Sequence, residues 1–292
     1  MKKILSFTLT FLLCLTQVQL QAQDKQYLDT DTPGVTSQIF AKGLVSIANR
    51  FEFGSVFSPD GEEFYYAAKK RGKDEIWRVR YKNNKWTKPE VVITGKNAGF
   101  NDPFLSPDGK RLYYISQYRE EENHKRTDYD IWYSERKGDG WSKPINAGPE
   151  INTTGNEYYI SFTAEGTMYF STDHYEGNHS IYSSAMKDGV FQKAVKESPA
   201  INTDAYEADV FIAPDESYII FASRRRSGFG SGDLYISFKQ NGTWTQAKNM
   251  GDAINTGANE LCPYVTNDGK YLLYSSNGDI YWVSTEIFDE LR

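Results

Sequence analysis

Cysteine is nearly absent from this 292-residue chain: Cys14 and Cys262 are the whole complement, too few and too far apart for a disulfide framework or a zinc site. Histidine is scarce too, with His124, His174 and His179. No apolar run is long enough to cross a bilayer. The most extended one, Ile4 to Leu15, directly follows Lys2 and Lys3 and is too short for a span. The Gly-x-Ser-x-Gly elbow, the His-Glu-x-x-His helix and the phosphate loop are all missing, which removes the usual serine-hydrolase, zinc-protease and nucleotide-binding readings. A basic excess is lacking as well. The formal charge of −6 disfavours nucleic acid or an anionic membrane as partner.

The opening residues have the layout of a secretory signal peptide, a basic start, an apolar stretch and the small residue Ala22. Cleavage there removes Lys2, Lys3 and no acid, moving the charge from −6 to −8. Cys14 is the alternative as a lipid-attachment cysteine, although Leu13 stands where a small residue belongs. The expected product is an exported protein, periplasmic or secreted, without a membrane span. It retains only Cys262, so packing alone must hold the fold. Residues 1–22 are thus read as the signal, 23–36 as a polar leader and 37–288 as the folded body.

What the chain has instead is repetition and aromatic residues, 15% of the total. Five tight turns recur: Ser58-Pro59-Asp60-Gly61, Ser106-Pro107-Asp108-Gly109, Thr163-Ala164-Glu165-Gly166, Ala213-Pro214-Asp215-Glu216 and Thr266-Asn267-Asp268-Gly269. Their first residues are 48, 57, 50 and 53 apart, close to the roughly 40–50 residues of a four-stranded propeller blade. Proline presets φ, aspartate accepts a backbone hydrogen bond and glycine supplies the positive φ that closes a hairpin, so these carboxylates are structural. After each turn comes an apolar run such as Leu112-Tyr113-Tyr114, then a pair such as Ile131-Trp132 or Leu234-Tyr235. Continuous apolar runs imply sheets covered on both faces, as in blades packed on their neighbours.

The fifth unit ends short of an outer strand, whereas Ser37 to Val45 precedes the first unit and reads as one. The N-terminal strand therefore completes the last blade and hides the free edges. The prediction is an all-β fold, a single five-bladed β-propeller of four-stranded antiparallel blades, with six blades as the alternative. A monomer is expected.

With these turns in place the chain resembles the Pro-Asp variant of the WD-forty repeat, the TolB-like β-propeller of bacterial envelope proteins, over about residues 51–284. It is most similar to propeller modules that accompany OmpA-like domains in Bacteroidetes envelope proteins. The motifs carrying this are Ile151-Asn152-Thr153 with Glu157, Ile201-Asn202-Thr203 with Glu207, and Ile254-Asn255-Thr256 with Glu260. The run Ser223-Arg224-Arg225 through Gly228, Gly230, Gly232 and Asp233-Leu234-Tyr235 adds to them. The resemblance implies a binding scaffold in the envelope, and a fold by itself names no ligand.

Aligning the turns places Glu52, Glu157, Glu207 and Glu260 at one position before the innermost strand, with Phe100 in the second unit and Asp102 two residues on. If those strands line the channel, the acids gather at its mouth. There they can bind a cation, calcium being the candidate and no other cofactor being implied, or act as acid and base on a glycoside. The alternative is that each glutamate bonds its own interblade loop. The loops joining strands two and three emerge on the same face and carry Arg71, Arg119, Arg126, Arg224, Arg225 and Arg226. Asp173, His174 and His179 share one of these loops and are a weaker metal candidate. Two functions remain: a non-catalytic envelope propeller holding a protein or glycan partner, with Glu52, Asp102, Glu157, Glu207, Glu260, Arg224 and Arg225 as contacts, and a carbohydrate-active enzyme.

Overall fold

The computed structural model describes residues 26–70, 72–119, 127–174 and 177–292. The signal segment with Cys14, together with Arg71, Arg126 and His124, lies outside these residues. The described chain folds into five antiparallel blade sheets, with a further two-stranded sheet of Met186–Lys187 and Val190–Phe191. Its innermost strands are Glu52–Phe57, Phe100–Leu105, Glu157–Phe162, Glu207–Ile212 and Leu261–Val265. Each contacts the next, and the fifth returns to the first. The ring of five predicted by the turn spacing is therefore present.

Second strands, such as Arg111–Ser116 and Tyr218–Ser223, carry the apolar runs and are buried along nearly their whole length. Burial on both faces is what packs blade against blade, and it accounts for the aromatic content. The strand Gln38–Ile39 pairs antiparallel with Tyr281 and Trp282 of the last blade. Phe40 follows it and sits fully buried between Phe64 and Trp282, so an N-terminal strand joins the ring's two ends. Part of the leader packs as well. Tyr27 is buried against Phe57, Tyr271 and Trp282 and donates to Asp268.

The turns behave as their chemistry demands. Asp60 Oδ1 accepts from Ser58 Oγ at 2.6 Å and from Glu62 N at 2.9 Å; Asp108 repeats both contacts with Ser106 and Lys110. Gly61 and Gly109 hold φ of 68° and 67°, conformations that a side chain disfavours.

A second repeat sets up the channel. Every innermost strand slips register against its neighbour around its third position, the mark of a β-bulge. Gly54, Asp102, Tyr159, Asp209 and Cys262 occupy the bulges, with φ of 52°, 50°, 52°, 50° and 54°. Four of the five are not glycine. Such backbone costs about 1 kcal/mol or more at each site, and strain of this kind concentrates where function requires it.

Candidate functional site: a blind well at one end of the channel

The glutamates of the repeated motif are placed first by their partners. Glu157 accepts from Thr153 N (3.2 Å), Thr153 Oγ1 (2.6 Å) and Thr172 Oγ1 (2.9 Å). Glu260 repeats this with Thr256 N (3.1 Å), Thr256 Oγ1 (2.8 Å) and Ser276 Oγ (2.8 Å). Glu207 takes Thr203 N, Thr203 Oγ1 and Ser223 Oγ, and adds Arg225 Nε at 3.2 Å. The preceding asparagines clamp each linker to the blade before it: Asn255 Oδ1 accepts from Leu234 N at 2.8 Å and its amide donates to Leu234 O at 3.0 Å. Asn152 and Asn202 do the same to Ile131 and Ile181. All four glutamates are fully buried, and none lines the channel cavity. Burial raises the Glu157 carboxyl to about 7 against the pull of its threonine donors, and it raises Glu52 against Arg50.

The two arginines of the candidate set part company. Arg225 lies 4.7 Å over the Tyr235 ring, bonds Glu207 and donates to Ile201 O at 2.6 Å. Blade one builds the same arrangement from a different direction: Arg50 stacks on Trp77 at 5.2 Å, bonds Glu52 and reaches Val45 O. Arg224, by contrast, is exposed and stands 4.5 Å over the Tyr206 ring. The glycine-rich loop after it is docked on blade five, where Ser231 N donates to Ala258 O at 2.8 Å. A Cβ on Gly230 would come within 2.3 Å of that carbonyl.

Arg224 and Tyr206 belong to a cavity of about 430 Å³ on the face of the linkers and the strand two–three loops. Asp102, Asp209 and Cys262 of the bulge ring line it, with Phe51, Phe53 and Tyr158. The cavity does not run through the molecule. Tyr159, buried in blade three, sends its hydroxyl across to Pro263 O of blade five at 2.9 Å. A separate cavity of about 320 Å³ at the other end shares no lining residue with the first and is walled by Phe57, Phe104, Phe162, Phe211 and Tyr264. The channel is thus a polar well at one end and an aromatic plug at the other.

Asp102 and Asp209 are 7% and 8% exposed. Asp102 Oδ1 faces Cys262 Sγ at 3.5 Å, and the Asp102 side chain makes no other hydrogen bond among the described residues. Gly54 makes room for it, since a Cβ there would lie 2.9 Å from Asp102 Oδ1. Burial drives the Asp102 carboxyl well above the usual carboxylate range, and the negative field of Asp209 adds to this. Burial also raises Asp209, to about 6, while the Cys262 N–H and the charge of Arg224 hold it down. Both carboxyls are thus harder to ionise than free ones, burial being the first cause at each. Burial and both aspartates push the Cys262 thiol up, so it lines the well as an un-ionised thiol.

Of the sequence candidates, then, Asp102 and Arg224 come together at one cavity. Glu52, Glu157, Glu207, Glu260 and Arg225 are held in the blade linkers. Asp209 was missed, although a signal for it exists: it stands two residues after Glu207, at the offset separating Asp102 from Phe100. His179 lies behind the well's wall, its ring 5.0 Å from Tyr158 and 4.9 Å from Tyr206. Its Nε2 is 3.6 Å from Asp173, whereas His174 pairs with Thr154. Among the described residues no group of three histidine, cysteine or acidic side chains is arranged to hold a metal.

No family model and no curated protein matches the chain. Among solved structures it is similar to TolB from Acinetobacter baumannii, at 14% identity and a TM-score of 0.53 over 80% of this chain and 54% of that one. The fold is a TolB-like β-propeller. A protein from Agrobacterium tumefaciens described as TolB gives 17% identity and a TM-score of 0.52, covering 78% of this chain and 70% of that one. A Dyadobacter fermentans protein of unknown function gives 15% and 0.51, covering 85% and 97%. This TolB-like propeller spans about half the length of the Acinetobacter protein, and identities this low establish the fold alone. No helix of the described residues is long and apolar enough to cross a membrane.

Proposed function

We propose that the chain is a non-catalytic binding propeller of the cell envelope, seating a protein or glycan partner on the face into which the well opens. The observation that carries this is the well itself. Two buried carboxylates sit under aromatic walls on strained backbone, in a channel that is closed below. Loops on a rigid ring surround it, the usual placing of a binding surface. The test is capture from an envelope extract by the mature chain, with the Asp102→Asn/Asp209→Asn double variant alongside. A partner held by the wild type and released by the variant supports the reading. Equal retention by both removes the well from it.

One observation favours a second reading, a carbohydrate-active enzyme. Two buried carboxylates, Asp102 and Asp209, line one cavity, as an acid and base pair must. Release of reducing sugar from a polysaccharide panel, abolished in Asp209→Asn, would establish it in place of the first.

A further inference from the structure

Resting on the binding reading, we infer that the well takes the positively charged end of a lysine or arginine side chain from a protein partner, inserted end-on from the loop face.

The shape sets the mode of entry. At about 430 Å³ the cavity is near the small end of ligand sites, about 300–1,000 Å³, and the Tyr159 crossing stops anything from threading through. A single side chain fits such a well, and an extended strand does not. The chemistry at the bottom sets the charge. Both aspartates are more than nine-tenths buried, and Asp102 Oδ2 has no hydrogen-bond partner among the described residues. The free oxygen opens to the cavity, and a cation with N–H donors is the group that best answers a largely buried carboxylate there.

The walls set the kind of cation. Phe51, Phe53, Tyr158 and Tyr206 line the well, and aromatic faces attract ammonium and guanidinium groups. The protein demonstrates this on itself, since Arg224 stands 4.5 Å over Tyr206 at the well's edge. Calcium wants six to eight oxygen ligands; Asn259, Ser275, Ser276 and Asn277 join the two carboxylates in the lining, but among the described residues no group of three acidic, histidine or cysteine side chains is arranged to hold a metal.

The test is calorimetric titration of the mature chain with Nα-acetyl-lysine amide and Nα-acetyl-arginine amide. Nα-acetyl-norleucine amide serves as the uncharged match, with glucosamine and calcium chloride as further arms. Saturable binding of the lysine or arginine probe, at least tenfold tighter than norleucine and lost in both Asp209→Asn and Asp102→Asn, is the expected result. Arg224→Ala should tighten it several-fold by removing the competing internal cation. Asparagine is tolerated at positive φ, and circular dichroism confirms that each variant is folded. Equal binding of norleucine, or lysine binding that survives Asp209→Asn, overturns the inference. Preference for calcium or glucosamine overturns it too. If a partner is captured through the well yet no cationic probe binds, this inference fails and the binding reading stands; if the two aspartate substitutions leave capture unchanged, the broader reading fails.

Discussion

Two sets of buried acids lie a few residues apart in this propeller, and they differ in what surrounds them. Glu157, Glu207 and Glu260 each collect a threonine amide, a threonine hydroxyl and a hydroxyl from strand two. Asp102 has one weak contact with a thiol. A carboxylate whose oxygens are all met by its own loop is a rivet. A buried carboxylate facing a cavity with an oxygen to spare keeps its interaction for something else. The contrast also follows repetition: the rivets recur in blade after blade, while the bulge position holds four residue types in five blades, aspartate twice.

The strongest way to break this contrast is to remove a rivet. Glu260→Ala leaves the Thr256 amide, Thr256 hydroxyl and Ser276 hydroxyl unpaired in a fully buried site, and should cost about 3–4 kcal/mol in urea unfolding. Partner capture per folded molecule should stay the same. A loss of capture with unaltered stability would instead make the glutamate a ligand contact.

Next in size is a gain. Asp209 carries a carboxyl raised to about 6 by burial, so its folded-state penalty is absent below the unfolded value near 4 and grows as pH rises through 6. Asp209→Asn should therefore stabilise the fold by about 2–3 kcal/mol at pH 7.5 and by almost nothing at pH 4. Cationic-probe binding by the wild type should fall as pH drops below about 6. The groups facing this carboxylate are Asp102, Cys262 and Arg224, with Tyr158 and Tyr206 on the wall. A melting temperature that Asp209→Asn lowers at both pH values would show that the aspartate is another rivet.

The sequence made the repeating parts legible because packing imposes them. Turn spacing, buried second strands and the closing strand at Gln38–Ile39 all follow from covering both faces of five sheets. The Ile-Asn-Thr motif and its glutamate were visible too, yet their direction was not. Whether a glutamate faces the channel or its own linker depends on threonine donors that any loop supplies. The well was hidden by its backbone, since only Gly54 among five positive-φ positions advertises that geometry. The arginine rivets were hidden because Arg50 and Arg225 reach equivalent glutamates from opposite sides of the motif. Asp209 was within reach, for a position at which a repeat stops repeating is where a scaffold is free to specialise.

The plug supplies a subtler test. Tyr159→Phe deletes the hydroxyl bridge to Pro263 O and leaves the ring, so the cost should be about 1–2 kcal/mol. Probe affinity should change little, because the hydroxyl closes the well without facing the ligand. A large gain in affinity for longer peptides would mean that the channel had opened to threading.

The smallest effect expected is Arg224→Ala. Arg224 is exposed, and its contact is the face of Tyr206, an interaction of roughly 0.5–1 kcal/mol at exposed sites. Arg225 is held by Glu207, Ile201 O and two aromatic rings, so Arg225→Ala should cost about 2 kcal/mol or more. The two neighbours are thus predicted to separate stability from binding: Arg225 governs the unfolding midpoint, Arg224 the affinity of the well. If both substitutions moved the midpoint equally, the arginine on the rim would belong with the rivets, and the line between the linker and the well would have to be drawn closer to the aspartates.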